Sequence, residues 1–193
     1  MTQPSLILAS SSPRRREILT ALGLAFDTRV TDVDETPLET ETPVAMVLRL
    51  AEAKALAAAP GDNEVVVGAD TAVILGEQAF GKPVNEADAL GMLAALSGRV
   101  HRVATGVAVA TAAGVATAVS ETDVRFREIH PDEARRYWHS GEPRGKAGAY
   151  AIQGLGGAFV EAIMGSYTGV VGLPVYETAR LLAAAGLEVL PTG

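Results

Sequence analysis

Apolar residues occur along the chain in short runs that alternate between two periods, one suited to strands and one to helices. Leu6-Ile7-Leu8-Ala9 is an uninterrupted apolar run and predicts a short buried strand. Ser10-Ser11-Ser12 and Pro13 follow, with Ser12 placed as a helix N-cap and Pro13 at the first helical position. Ile18, Leu19 and Leu22 continue that helix to a stop near Gly23. Residues 26–30 predict a second strand, and an acidic loop carries Asp32, Asp34, Glu35, Glu39 and Glu41. Thr42-Pro43 then opens a long helix with Val44, Val47, Leu48, Ala51 and Ala55 on one face, ending near Pro60-Gly61.

Residues 64–75 form a long, Val-rich buried strand containing Gly68 and Asp70. Asn85 caps a helix with Leu90, Leu93 and Leu96 on one side and Gly98 as its stop. Residues 99–110 and 115–129 predict a hairpin, and Pro131 starts a short helix that ends at Gly141. Six glycines in residues 141–157 mark a shaped loop rather than a regular element. Strands are expected at 158–163 and 169–173, with a last helix over 174–185 stopped by Gly186. Strands alternating with helices, broken by one hairpin, indicate an α/β domain on a mixed sheet. The 193 residues fit one domain spanning 1–193.

With 48% apolar residues the chain can bury a sizeable core, and a formal charge of −7 argues against a duplex nucleic-acid binder. No cysteine is present, which excludes disulfides, thiolate catalysis and Cys-ligated zinc. No secretory signal is readable at the first apolar run, which three arginines follow. Residues 103–120 are uncharged and long enough to span a bilayer, but their threonines and the central Ala112-Ala113-Gly114 fit two strands and a turn better. The expectation is a soluble, cytoplasmic protein that binds no membrane.

Several segments offer chemistry. Arg14, Arg15 and Arg16 follow the serines at a helix start, where the macrodipole repels cations. A bound anion such as phosphate would relieve that conflict, with Ser10 and the arginine forks as donors; the alternative is a solvated basic turn. Asp70 lies in so apolar a strand that its carboxylate must be paired, hydrogen-bonded or metal-bound, in a functional or a purely structural role. Lys54, at the margin of the long helix's apolar face, either snorkels or aims its ammonium into an acidic or phosphate-filled cleft. Glu35 is either a solvated loop residue or one of the carboxylates that a hard divalent cation prefers.

Gly76-Glu77-Gln78-Ala79-Phe80-Gly81-Lys82 has the spacing of a phosphate-binding P-loop. Pro83, however, stands where Ser or Thr would hold magnesium, and the next helix starts too late, so a P-loop is rejected. Lys82 remains either a phosphate contact or an exposed turn lysine. Gln153, in the glycine-rich loop, both donates and accepts and so suits the N3–H and O4 edge of uracil or thymine, or serves as a structural turn amide. His101, His130 and His139 show no ligand spacing.

Taken together, Ala9-Ser10-Ser11-Ser12-Pro13-Arg14-Arg15, Asp34-Glu35, the stretch from Arg49 to Lys54, Gly68-Ala69-Asp70-Thr71, Lys82-Pro83, Leu96-Ser97-Gly98, the stretch from Lys146 to Gly154, Gly165-Ser166-Tyr167 and the stretch from Val170 to Pro174 closely resemble the Maf family of nucleoside triphosphate pyrophosphatases, in the family's order and over nearly the whole chain. Ile152-Gln153-Gly154, with Thr71 and Arg14, resembles the branch acting on dTTP and UTP. Gly145 departs from the acidic residue that many relatives carry there. The resemblance implies an elongated, twisted mixed α/β sheet with flanking helices and two lobes around a cleft, similar to the inosine triphosphate pyrophosphatases. It implies a homodimer that uses a divalent cation, Mg²⁺ or Mn²⁺, held by Glu35 and Asp70. Asp70 would accept a proton, Glu35, Lys54 and Lys82 would complete the catalytic set, and Ser10, Arg14, Arg15, Thr71 and Gln153 would bind substrate. The reaction implied is hydrolysis of dTTP and UTP, with CTP or modified pyrimidine nucleotides as further candidate substrates, to the monophosphate and pyrophosphate. Its rival is a nucleotide-sensing regulator of cell division or septum formation that acts through a partner.

Overall fold

The first strand, β1 (Ser5–Leu8), is apolar at successive positions because both of its faces are covered. A computed structural model describes residues 4–190. β1 pairs in parallel with β2 (Phe26–Thr28) and with β3 (Glu64–Leu75), in the register Leu6↔Val65, Ile7↔Val66 and Leu8↔Val67. Alternation along these strands sorts their side chains into two cores. Leu6, Leu8, Val65 and Val67 join Leu19, Leu181 and Leu182, whereas Ile7 and Val66 join Ala51 and Ala55. A strand buried on both sides reads as a continuous hydrophobic run, which is why β3 is legible to its ends.

Seven strands form one mixed sheet in the order β2-β1-β3-β5-β6-β7, with β4 (Gln78–Phe80) paired to β3. β5 (Val100–Thr111) and β6 (Gly114–Phe126) meet at a tight turn, and β7 (Val160–Met164) runs antiparallel to β6. The α/β class with a mixed sheet and flanking helices is therefore the observed one. The uncharged stretch 103–120 lies in β5 and β6, and no helix among the described residues is long and apolar enough to cross a membrane.

Helices α1 (Pro13–Ala21), α2 (Pro43–Ala57), α3 (Glu86–Leu96), α4 (Pro131–His139), α5 (Tyr167–Val171) and α6 (Val175–Ala184) complete the fold. Thr42 and Asn85 cap α2 and α3 by accepting from Ala45 N and Asp88 N. Ser12 occupies the N-cap position of α1, but its side chain makes no capping bond. The apolar face of α2 buries Leu50 with Val47, Ala51 and Ala55, while Val44 and Leu48 are only half-buried.

One local expectation is corrected. Residues 169–173 are not a strand: Tyr167–Val171 is helical, because Ser166 captures the turn, its carbonyl accepting from Val170 N and its hydroxyl from Gly169 N. A short β-branched run is ambiguous between the two structures, and a local cap decides it. Residues 78–80 add a strand that the sequence pattern does not predict: β4 folds back on β3 with Val73↔Phe80 in register and Phe80 buried.

The described residues divide into two compact units. The first holds the chain through Asp70, with Thr105–Ser120 and the residues from Gly172. The second holds Thr71–Ala104 and Glu121–Val171, with a core built on Phe126, Tyr137, Tyr150 and Phe159.

Candidate active site

In the first unit, α2 lies against the sheet at two glycines. A Cβ on Gly68 of β3 would run into Ala51 O and Ala55 N, and one on Gly106 of β5 would run into Val47 O. Only hydrogen fits at either position, so helix backbone meets strand backbone. By the two-residue alternation, Gly68 and Asp70 share the face of β3 that looks at α2. Lys54 stands on the adjoining turn, and its Nζ donates to Asp70 Oδ1 at 2.7 Å. The same ammonium lies 2.6 Å from Glu35 Oε1. Lys54 is 12% exposed and Asp70 15%, whereas Glu35, on its loop, is 49% exposed. The strand's carboxylate is thus paired, and one cation gathers two acids from distant parts of the sequence.

The loop that carries Glu35 is tied down from α2. Arg49 Nε and Nη2 donate to the two oxygens of Glu41 at 2.7 Å each, and Nη2 also reaches Thr36 O. Asp34 accepts from Thr36 N, and Glu41 accepts from Leu38 N. The guanidinium holds Glu41 below the usual carboxylate range, and backbone and side-chain bonding from Thr36 does the same for Asp34. Sequence reasoning matched the segment containing Arg49 but did not see this clamp, because Glu41 lies on the loop before α2, where no regular period relates it to Arg49.

At the start of α1, the buried hydroxyl of Ser10 accepts from Arg15 Nη1 and from Ser12 N, and Arg15 Nε donates to Gly172 O at 2.8 Å. Burial pulls the Arg15 guanidinium down to about 10, while the charges of Asp70 and Glu35 oppose that and Arg14 adds to it. Arg15 stays cationic at neutral pH and is electrostatically coupled to the Lys54 group. Arg14 is lowered chiefly by burial, and its Nε is buried without a hydrogen-bond partner. The first unit therefore brings together Ser10, Arg14 and Arg15 at the helix start and Glu35, Lys54 and Asp70 beside α2.

Thr71, Lys82 and Gln153 belong to the second unit. Thr71 is half-buried in β3, and Lys82 is exposed just beyond β4. Gly81 O accepts from Gly148 N, which fastens the Lys82 turn to the glycine-rich loop. That loop contains two single helical turns, Ala147–Ala149 and Leu155–Phe159, with Gln153 exposed before the second. Glu142 accepts from Tyr137 Oη at 2.7 Å and from Leu155 N and Gly156 N at 2.9 Å each. Sequence reading passed over Glu142, since two of its three partners are backbone amides.

Among the described residues no three His, Cys, Asp or Glu side chains gather at metal-ligand spacing. Two carboxylates converging on one cation still suit Mg²⁺ or Mn²⁺ in the mode where substrate phosphates supply further oxygens. The residues present therefore fit a cation shared with a ligand, not a closed protein cage.

An acidic pair bridged by lysine, with arginines at a helix start, is the equipment of a phosphate-handling α/β protein. The chain belongs to the Maf family: the family model, described as Maf-like protein, matches residues 5–185. A relative from Anaeromyxobacter dehalogenans (strain 2CP-C) is 54% identical over 190 residues, covering 96% of each chain. One from Hahella chejuensis is 48% identical over 188 residues, covering 95% of this chain and 94% of its own. One from Colwellia psychrerythraea is 47% identical over 191 residues, covering 96% and 90%. All three are named dTTP/UTP pyrophosphatase. A solved nucleoside-triphosphatase, a dITP/XTP pyrophosphatase from Mycobacterium abscessus, is similar with a TM-score of 0.45 and 15% identity, covering 97% of this chain and all of its own.

Proposed function

We propose that this chain is a nucleoside triphosphate pyrophosphatase that hydrolyses dTTP and UTP to the monophosphate and pyrophosphate. Relatives of that name, about half identical over nearly the full length, support the activity. The observation that carries the chemistry is Lys54 held between Glu35 and Asp70.

In this reading, water attacks the α-phosphorus as the bridging oxygen between the α- and β-phosphates departs with pyrophosphate. Asp70 takes the proton from the attacking water. Lys54 fixes the carboxylate through Oδ1, which leaves Oδ2 for that transfer. Arg15, anchored through Ser10 and Gly172, brings positive charge to the triphosphate without reorganising, and Arg14 offers an unused donor beside it. Glu35 and Asp70 would hold Mg²⁺ or Mn²⁺, which would supply charge neutralisation for the phosphates and a bound water of lowered pKa. The roles of Lys82 toward phosphate, and of Thr71 and Gln153 toward the base, rest on the order of motifs in the sequence. Positioning and charge neutralisation supply most of the rate enhancement in phosphoryl chemistry of this kind.

The family resemblance also carries a homodimer in the cytoplasm, and light scattering tests the dimer. The decisive experiment for the activity is product analysis with UTP, dTTP, CTP and GTP in the presence of Mg²⁺. Monophosphate and pyrophosphate from UTP and dTTP are expected. Release of orthophosphate would make the chain a phosphatase, and tight binding without turnover would favour a nucleotide sensor.

A further inference from the structure

Gln153 sits on backbone that is fastened on both sides while its own side chain is exposed, with no protein partner among the described residues. On the far side, Glu142 accepts from Leu155 N and Gly156 N. On the near side, the Tyr137 hydroxyl accepts from Ala151 N at 3.1 Å and donates its proton to Glu142 Oε1. Gly154 N bonds back to Ala151 O, closing the turn around Gln153 itself.

Two glycines complete the fit. A Cβ on Gly154 would collide with the Glu142 carboxylate, and one on Gly156 would collide with the Tyr137 hydroxyl. The loop is therefore shaped around these two side chains. The hydrogen bonds from Gly156 N, Tyr137 and Leu155 N hold the Glu142 carboxyl below its usual range despite partial burial. Burial and the bond to Glu142 push the Tyr137 hydroxyl up, so it remains a donor at any working pH.

We propose that Glu142, with Tyr137, is the positioning residue for base selection, fixing the main chain on either side of Gln153 so that its amide meets the nucleobase in one orientation. The inference rests on the dTTP/UTP reading above. Glu142 touches neither phosphate nor metal in it and acts only through Gln153. A hydrogen-bonding recognition element rejects the wrong base only while it is held in place, because a loose amide re-pairs with any edge.

The test compares Glu142→Gln, Tyr137→Phe, Gln153→Ala and the double variant Glu142→Gln with Gln153→Ala. Steady-state kinetics with UTP, dTTP, CTP and GTP are paired with calorimetric titration of non-hydrolysable α,β-imido analogues of UTP and CTP. Glu142→Gln sets an amide N–H₂ against a backbone N–H, so the cradle opens without an added void. The expected result is a KM for UTP and dTTP raised about tenfold, kcat reduced far less, and a narrowed UTP-to-CTP preference. Tyr137→Phe moves the same way to a smaller extent. The double variant loses no more selectivity than Gln153→Ala alone, as residues acting through one group are non-additive.

A uniform loss of kcat with the nucleotide ranking intact, or wild-type KM and ranking in folded Glu142→Gln, would overturn the inference. So would selectivity losses that simply add in the double variant. Failure of the wild-type protein to release pyrophosphate sinks the activity instead, and the analogue titrations still decide whether Glu142 governs base preference.

Discussion

Lys54 Nζ lies 2.7 Å from Asp70 Oδ1, and the pair meets because Gly68, two residues before Asp70, lets α2 rest directly on β3. The ammonium also holds Glu35, so its removal leaves two carboxylates facing each other. Asp70→Asn is expected to lower kcat by about 10²–10⁴-fold, the range for a lost general base, while thermal melting shows a folded protein. Near-normal pyrophosphate release by that variant would remove Asp70 from the chemistry.

Gly68→Ala forces a methyl group against Ala51 O and Ala55 N, both backbone atoms that cannot turn aside. The helix must shift, at a cost of about 1–3 kcal/mol in denaturant unfolding, as for other overpacked sites. Lys54 shifts with it, so turnover falls as well. A variant that loses stability but keeps wild-type kcat would show that the Lys54–Asp70 distance is not critical.

Arg49 clamps the Glu35 loop through both Glu41 oxygens and Thr36 O. Arg49→Lys keeps the charge but loses the fork that makes two parallel bonds. We expect kcat to fall by about 10- to 100-fold, the penalty for misplacing a reacting group by about 1 Å. Arg49→Lys with unchanged kinetics would show that the loop holds Glu35 without its help.

Chelation separates catalysis from folding. Glu35 and Asp70 are already paired through Lys54, so EDTA should abolish turnover, restored by Mg²⁺ or Mn²⁺, and leave Tm almost unmoved. A large drop in Tm on chelation would mean that the fold depends on a metal.

His101 is 2% exposed, with Nε2 2.9 Å from Tyr150 Oη and its ring in T-shaped contact with those of Phe126 and Tyr150. Burial lowers it to about 4, against a weak opposing pull from Asp123. Between about 6.5 and 4 the unfolded chain takes up a proton that the folded one refuses, so stability falls as pH drops through that window and levels off below it. The full effect is about 3 kcal/mol. Denaturant midpoints at neutral and acid pH should diverge less in His101→Gln than in the wild type, and equal divergence would refute the assignment.

The parts of the fold that were legible were those where one force dominates. β3 was read to its ends because both faces are buried, and α2 and α3 because Thr42 and Asn85 cap them. The helix at Tyr167–Val171 is illegible in the sequence because Ser166 overrides a β-branched run, and β4 leaves no pattern because only Phe80 of its three residues is buried. At the site, the sequence marked Asp70 as a carboxylate in need of a partner, but its alternatives for Lys54 remained open until the helix was docked on the strand. Glu142 escapes notice because two of its three partners are backbone amides, which have no letter in a sequence.

The two places where only hydrogen separates α2 from the sheet also limit how this scaffold can be re-engineered. A designer seeking new nucleotides has no slack at positions 68 and 106, since any enlargement there displaces the whole helix and the ammonium it carries. Freedom lies instead at exposed positions of the loop of residues 141–157, such as Arg144. Libraries that diversify such positions while leaving Glu142 and the glycines alone should yield altered appetites without dismantling the chemistry.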